Sequence, residues 1–539
     1  MPLQRPEADE VAALAERLGI HLTGSETRIF TDRLKSQVDS LEEFLELRVE
    51  EARPPLRHLE RDPGRRPTAA EDPLNAFIRR CSVKGAENGP LAGRKVGLKD
   101  HIAVAGVPMS NGSYFLDGYT PDFDASVVTR LLDAGATIVG KMNMEDFSFG
   151  GPGVSGVGDF GRPLNPHNPD HVTGGSSSGA AAAVVAGEID MALGGDQGGS
   201  IRIPAAWSGC VGLKATHGLI PHSGVFGLEQ SVDYVGPMTR TVEDCATVLQ
   251  CIAGRDGFDP RQSATPEKLP DYVGALGQDI EGIRIGLLAE GFGIPGGMIE
   301  VEDAVHQAAG VLKSLGATLE PVSVPLHTQA WLAMGPIFVE GARAGFESNF
   351  AGAFGGAFMP TSFMAAFGRA KRSHSHELPL NFKLILLAGV YAQERLSGKL
   401  YAKSYAARPA VTAQYRKAFE TVDLLVMPTC PITAPAYETP EDHVDAIDLT
   451  MFGGGRGFKL GRLGSNTSAF NYTGYPAISI PCGKANGLPI GLQLVAPHFR
   501  DDLLIRVAHA YQRSVDWESF FPGDPAEQRA KTAHAMHAV

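Results

Sequence analysis

The stretch GGSSSGAAAAVVAGEIDMALGGDQGGSIRIPAAWSGCVGLK, Gly174 to Lys214, decides how this chain reads. Two glycines and three hydroxyls precede a run of alanines and valines, so Gly174-Gly175-Ser176-Ser177-Ser178-Gly179 reads as a turn opening a helix. A second glycine pair leads to a serine in Gly195-Asp196-Gln197-Gly198-Gly199-Ser200-Ile201-Arg202. A glycine-rich turn at a helix start often holds phosphate, because unpaired N–H groups point outward there. The Walker spacing with its Lys-Ser/Thr ending is absent, however, and no G-x-G-x-x-G follows a strand with the expected acid. A serine directly after two glycines fits acyl chemistry better, since small residues let the backbone turn sharply and aim several N–H groups at one point. The N–H groups of Gln197, Gly198, Gly199 and Ser200 are therefore candidates for an oxyanion hole, in which each donor is worth about 3 to 4 kcal/mol.

Working outward, short β-type runs such as Val96 to Leu98 and Thr137 to Val139 alternate with helical patterns such as Ser126 to Ala134. Asp423 to Met427, Ala477 to Ile480 and Ile490 to Val495 read as further buried strands, and Asp501 to Val515 as a closing helix. The alternation predicts an α/β fold, a largely parallel or mixed β-sheet core surrounded by helices that draws on both halves of the chain. Residues from about Glu7 to Glu51 carry helical spacing, and the Pro- and Arg-rich stretch Pro54 to Pro67 follows. We read 1–72 as a small helical N-terminal unit with a linker, and 73–539 as the catalytic domain. Phe346 to Phe367 and the Gly-rich run Phe452 to Phe458 match no strand pattern and read as insertions over the core, near 325–410 and 438–465.

Composition narrows the class. At 539 residues with 43% hydrophobic and 20% charged residues, the chain can bury a large core. A formal net charge of -13 argues against sequence-independent nucleic-acid binding, which needs clustered Lys and Arg. The first ten residues lack a basic start followed by an apolar run, and the small-residue run Ala180 to Ala186 is too short to span a bilayer. Cytoplasmic residence, with no membrane partner, is the expectation. Six cysteines without a C-x-x-C pair suggest reduced thiols. His374 with His376, and His167 with His171, lack the convergent ligand spacing of a metal site. The phenylalanines at 346, 350, 354 and 358, four apart, read as a core stripe before a substrate box.

Together the motifs closely resemble the amidase signature family, whose hallmark is a Gly-Gly-Ser-Ser-Gly turn followed by Asp-x-Gly-Gly-Ser-Ile-Arg-x-Pro and a Gly-Leu-Lys segment. The resemblance extends to Lys99-Asp100 with Gly106-Val107-Pro108, to Gly140-Lys141-Met142-Asn143, and to Gly474-Tyr475-Pro476-Ala477 with Gly487-Leu488-Pro489. It spans roughly residues 85 to 510. The resemblance implies an amidase signature fold in which Ser200 is the acylated nucleophile, Ser176 a bridging serine in a cis peptide after Gly175, and Lys99 the base. A serine hydroxyl needs a base to accept its proton, and lysine serves only when neutral. Lys99 must then be buried, because bringing its pKa from about 10.4 to near neutrality requires roughly 4 kcal/mol of destabilisation of the charged form. Asp196 and Arg202 are expected to pair around the loop, and Ser177 and Ser178 to cap the helix or support the relay.

Gln197 stands where Thr is frequent in the family, and Ala215 where Pro usually follows. With the N-terminal extension, Gln197 is similar to the bacterial amidases of small aliphatic and aromatic amides. The resemblance implies hydrolysis of a small-molecule amide by water, no metal or organic cofactor, and a homodimer through the N-terminal helices. Rival readings are the catalytic subunit of a glutamine-dependent transfer-RNA amidotransferase, a hydrazide, carbamate or cyclic-amide hydrolase, and a non-catalytic ligand-binding module.

Overall fold

A computed structural model describes residues 3–49, 52–154, 159–350, 358–452 and 464–523. The chain divides into two compact units, Met1–Ala52 and Arg53–Val539. The first is a helical pair, Ala8–Arg17 and Gly24–Glu46. Its second helix starts at a capping box: the Thr23 hydroxyl accepts the Glu26 N–H, and the Glu26 carboxylate accepts the Thr23 N–H. Lys35 binds Glu7 across the pair at 2.9 Å.

The second unit is built on one mixed sheet. Its strands are β1 (Arg61–Arg65), β2 (Phe77–Lys84), β3 (Lys95–Lys99), β4 (Thr137–Met142), β5 (Met191–Asp196), β6 (Val211–Lys214), β7 (Tyr234–Thr239), β8 (Arg284–Leu288), β9 (Thr318–Val322), β10 (Leu424–Pro428), β11 (Ala477–Ala485) and β12 (Leu488–Val495). The spatial order is β1-β2-β4-β3-β5-β7-β6-β11-β12-β10-β8-β9. β3 runs parallel to β4 and β5, and β8 parallel to β9 and β10; the other pairings are antiparallel. The expected strands and the mixed sheet are thus present. Residues 61–65 of the stretch read as a linker form the edge strand β1, pinned where Arg61 meets the buried Asp124 at 2.6 Å. β11 and β12 form a hairpin whose turn residues, Asn486 and Gly487, both have positive φ, the geometry that two-residue hairpin loops select.

Strand alternation sends the core two ways. β10 directs Leu424 and Val426 into one hydrophobic cluster and Leu425 and Met427 into another. The first cluster holds helices Ser126–Asp133, Val242–Ile252, Ile299–Ser314 and Asp501–Arg513. On the second face lie Ser178–Val185, Arg202–Ser208 and Ser465–Thr473. Every residue of Ser178–Val185 is buried, which suits a helix made only of small and apolar side chains with one serine.

Helices also account for most of the insertion near 325–410: Ala330–Glu347, Thr361–Ser373, Leu380–Leu396 and Lys399–Ala418. The phenylalanine spacing is not a helical stripe, because Ala330–Glu347 ends between Phe346 and Phe350. Phe346, Phe350 and Phe358 nevertheless join an aromatic cluster with Phe115, Phe147, Phe363, Phe367 and Phe382. Phe354, and the Gly-rich run from residue 453, lie outside the described residues. All six cysteines are unpaired, five of them buried.

Candidate active site

Lys99 is the last residue of β3 and Asp196 the last of β5. Because these neighbours are parallel, both side chains emerge at the carboxyl end of the sheet, where open α/β proteins place their sites. Lys99 Nζ donates to Ser176 Oγ over 2.7 Å, and the Gly175–Ser176 peptide is cis. The Ser177 hydroxyl accepts the Gly195 N–H at 3.1 Å and donates to the Gly195 carbonyl at 3.0 Å. The Ser177 N–H donates to the Ser200 carbonyl at 3.2 Å, so the two glycine-rich turns are stitched together. Lys99 and Ser176 are fully buried, whereas Ser200 is 5% exposed; of the three, Ser200 is the group an incoming ligand can meet. Ser178, grouped with Ser177 as a cap or support, makes no side-chain hydrogen bond among the described residues.

Asp196 organises the loop beneath Ser200. Its carboxylate accepts the Gly199 N–H at 2.7 Å, the Ile201 N–H at 3.1 Å and two bonds from Arg202 at 3.0 Å. The Gly199 N–H, expected among the oxyanion donors, is thereby turned to the inside of the loop. Among the described residues, the N–H groups of Gln197, Gly198 and Ser200 carry no such bond. Gly199 has φ +139, and a Cβ there would meet Thr467 Oγ1 at 2.5 Å, so this position needs glycine. The Gly198 carbonyl is held from the far side by Thr467 and Ser468 at 2.6 and 3.1 Å.

Electrostatics follow from burial. Desolvation lowers the Lys99 pKa to about 7, against the opposing pull of Glu145, Asp196 and Asp233. Burial pushes Asp196 up, but the charge and hydrogen bonds of Arg202, with Asn471, more than offset this and hold it at about 2. Lys141, on the neighbouring strand β4, forms a buried pair with Asp100 at 3.0 Å.

Glu145 was not singled out from the sequence, although it lies two residues past Gly140-Lys141-Met142-Asn143 as the first acid of an otherwise mostly apolar run. Its N–H donates to the Ser176 carbonyl at 3.2 Å, and its carboxylate accepts the N–H groups of Gly153 and Val154 at 3.0 and 3.1 Å. Burial raises it to about 8. A Cβ on Gly175 would fall 2.2 Å from Glu145 Oε2 and 2.8 Å from the Gly153 nitrogen. Gly175→Ala should therefore displace Ser176 and lower kcat by about 100-fold, the usual cost of a misplacement near 1 Å. Steady-state rates on the folded variant check this.

The family model for amidases matches residues 71–505. The chain belongs to the amidase family. An enantioselective amidase of Rhodococcus rhodochrous is 38% identical over 524 residues, 95% of this chain and 96% of the relative. A glutamyl-tRNA(Gln) amidotransferase subunit of Methanosarcina mazei is 37% identical over 455 residues, 82% of this chain and 89% of that one. Among solved structures, the native peptide amidase of Stenotrophomonas maltophilia superposes with a TM-score of 0.64 at 30% identity, covering 82% of this amidase and 89% of its own chain. A 6-aminohexanoate cyclic dimer hydrolase bound to substrate gives 0.66 at 25% identity, covering 80% and 86%. The amidase is thus a hydrolase of this family with the family's fold.

Proposed function

We propose that this amidase hydrolyses small carboxylic amides through an acyl-enzyme on Ser200, with Ser176 and Lys99 as its proton relay. The observation that carries this reading is the buried 2.7 Å contact between Lys99 Nζ and Ser176 Oγ, beside the turn that bears Ser200. With Lys99 neutral, the Ser176 hydroxyl donates to the amine lone pair and can accept the Ser200 proton in turn. Ser200 Oγ attacks the amide carbon; its proton passes to Ser176 while the Ser176 proton passes to Lys99. The N–H groups of Gln197, Gly198 and Ser200 hold the oxyanion. Collapse breaks the C–N bond, and Ser176 protonates the leaving nitrogen as Lys99 returns the proton. Water then repeats the sequence on the ester and releases the acid.

The test is ammonia release from acetamide, propionamide, benzamide and glutamine, comparing the wild type with Ser200→Ala. Release from simple amides that vanishes in the variant supports the reading. Release from glutamine alone would replace it with the amidotransferase reading. Because only neutral Lys99 accepts a proton, kcat/KM should rise with pH and reach half its plateau near pH 7.

A further inference from the structure

A buried hydrogen-bond chain leaves the site and takes no part in the relay. From the Asp196–Arg202 pair, Arg202 Nη1 donates to Gln493 Oε1 at 2.9 Å, and Gln493 Nε2 donates to the Asn466 carbonyl at 2.7 Å. The Asn466 side chain lies 2.9 Å from His327 Nε2, and His327 Nδ1 lies 2.5 Å from the Tyr415 hydroxyl. Arg202, Gln493, Asn466, His327 and Tyr415 are all fully buried. The direction of each bond is forced. Asn466 Nδ2 donates to the carbonyls of Gly291 and Pro428 at 2.9 and 2.7 Å, so its Oδ1 must accept, and His327 Nε2 must carry the proton. Nδ1 is then the acceptor for the Tyr415 hydroxyl. Burial lowers the His327 pKa, which keeps the ring neutral in this tautomer.

His327 belongs to the short turn His327–Gln329 that leads into the helix Ala330–Glu347. From the first five residues of that helix, Trp331 Cζ3 and Met334 Cε each lie 3.7 Å from where a Cβ on Gly198 would stand. Gly198 is one of the proposed oxyanion residues, and the side of it on which a Cβ would stand is the side against this Trp–Met wall. Asn466 is the second residue of the helix Ser465–Thr473, whose next residues, Thr467 and Ser468, fix the Gly198 carbonyl. One histidine therefore ties the wall to the loop it faces.

We infer that His327 is a positioning residue that sets the width of the acyl pocket, by holding the Trp331–Met334 wall at a fixed depth against the Gly198 loop. The inference rests on the amide-hydrolase reading above. It predicts selection among acyl groups rather than a role in proton transfer. In such pockets a change of one methylene's width alters discrimination by about ten-fold or more.

The experiment compares kcat/KM for acetamide and benzamide in the wild type, His327→Leu and His327→Gln. Leucine removes both ring bonds, whereas the glutamine amide can still donate to Asn466 and accept from Tyr415. The expected result is a change of about ten-fold in the benzamide-to-acetamide ratio for His327→Leu, carried by KM rather than kcat, with the wild-type ratio largely restored in His327→Gln. A uniform fall on both amides, or an unchanged ratio, would overturn the inference, since a merely structural histidine moves both substrates together. If His327→Leu does not fold, Tyr415→Phe removes one bond of the chain and decides in the same way. Wild type that is silent on both amides removes the small-amide substrate reading and this inference with it; an unchanged ratio against an active wild type removes the inference alone.

Discussion

Lys99→Ala is expected to lower kcat/KM on simple amides by roughly 10⁴-fold or more, with the protein still folded. The size follows from what the lysine does. Its nitrogen is 2.7 Å from Ser176, and alanine leaves the relay with no acceptor for the Ser200 proton. A water filling the space that alanine leaves beside Ser176 would be a far weaker base than a neutral amine. Retained turnover within ten-fold would remove Lys99 from the mechanism. Lys99→Met supplies a companion reading on stability. The folded pKa of about 7 lies below the unfolded value, so between pH 7 and about 10.5 the unfolded chain binds the extra proton. Wild-type stability should rise through that window by an increment that the methionine variant lacks, and urea midpoints at pH 6.5 and 9 measure the difference.

The second large effect falls on stability. Arg202→Met should destabilise the fold by about 3 to 5 kcal/mol, because it strands a fully buried carboxylate at Asp196. The guanidinium also serves the Thr467 carbonyl at 3.0 Å, Gln493 at 2.9 Å and Asn471 at 2.7 Å, and methionine meets none of them. Activity should fall as well, since Asp196 holds the Gly199 and Ile201 N–H groups on either side of Ser200. In the wild type, Asp196 is held at about 2, below its unfolded value. The pair's contribution is therefore complete above about pH 4 and fades as pH drops toward 2. Denaturant midpoints at pH 7 and pH 3 should show the gap between wild type and variant narrowing at the lower pH.

Much of the fold could be read locally. The apolar runs at 96–98, 137–139, 423–427, 477–480 and 490–495 all fall in or across strands of the sheet, because buried strands declare themselves through short apolar stretches. The two glycine-rich turns were legible for the same reason: a serine after paired glycines is unusual enough in backbone terms to mark a site. The insertion was less legible. Its glycines and phenylalanines hid the helices Ala330–Glu347 and Thr361–Ser373, whose stability comes from packing against the core and not from their own periodicity.

The strand and helix alternation, the turns at Gly174 and Gly198, and Lys99, Ser176 and Ser200 as the residues to watch were all readable from the order of amino acids. How deeply those groups are buried and what they bond came only with the folded arrangement. Lys99 is an ordinary lysine until the fold buries it fully and removes its water. The Gly199 N–H counts as an oxyanion donor until the Asp196 carboxylate is seen to claim it. Glu145 has no marked role until its N–H meets the Ser176 carbonyl. Arg202 and Gln493 bond across 291 positions, and His327 and Asn466 across 139. Burial and hydrogen-bond partnership of this kind depend on distances through space, which no local pattern of residues encodes.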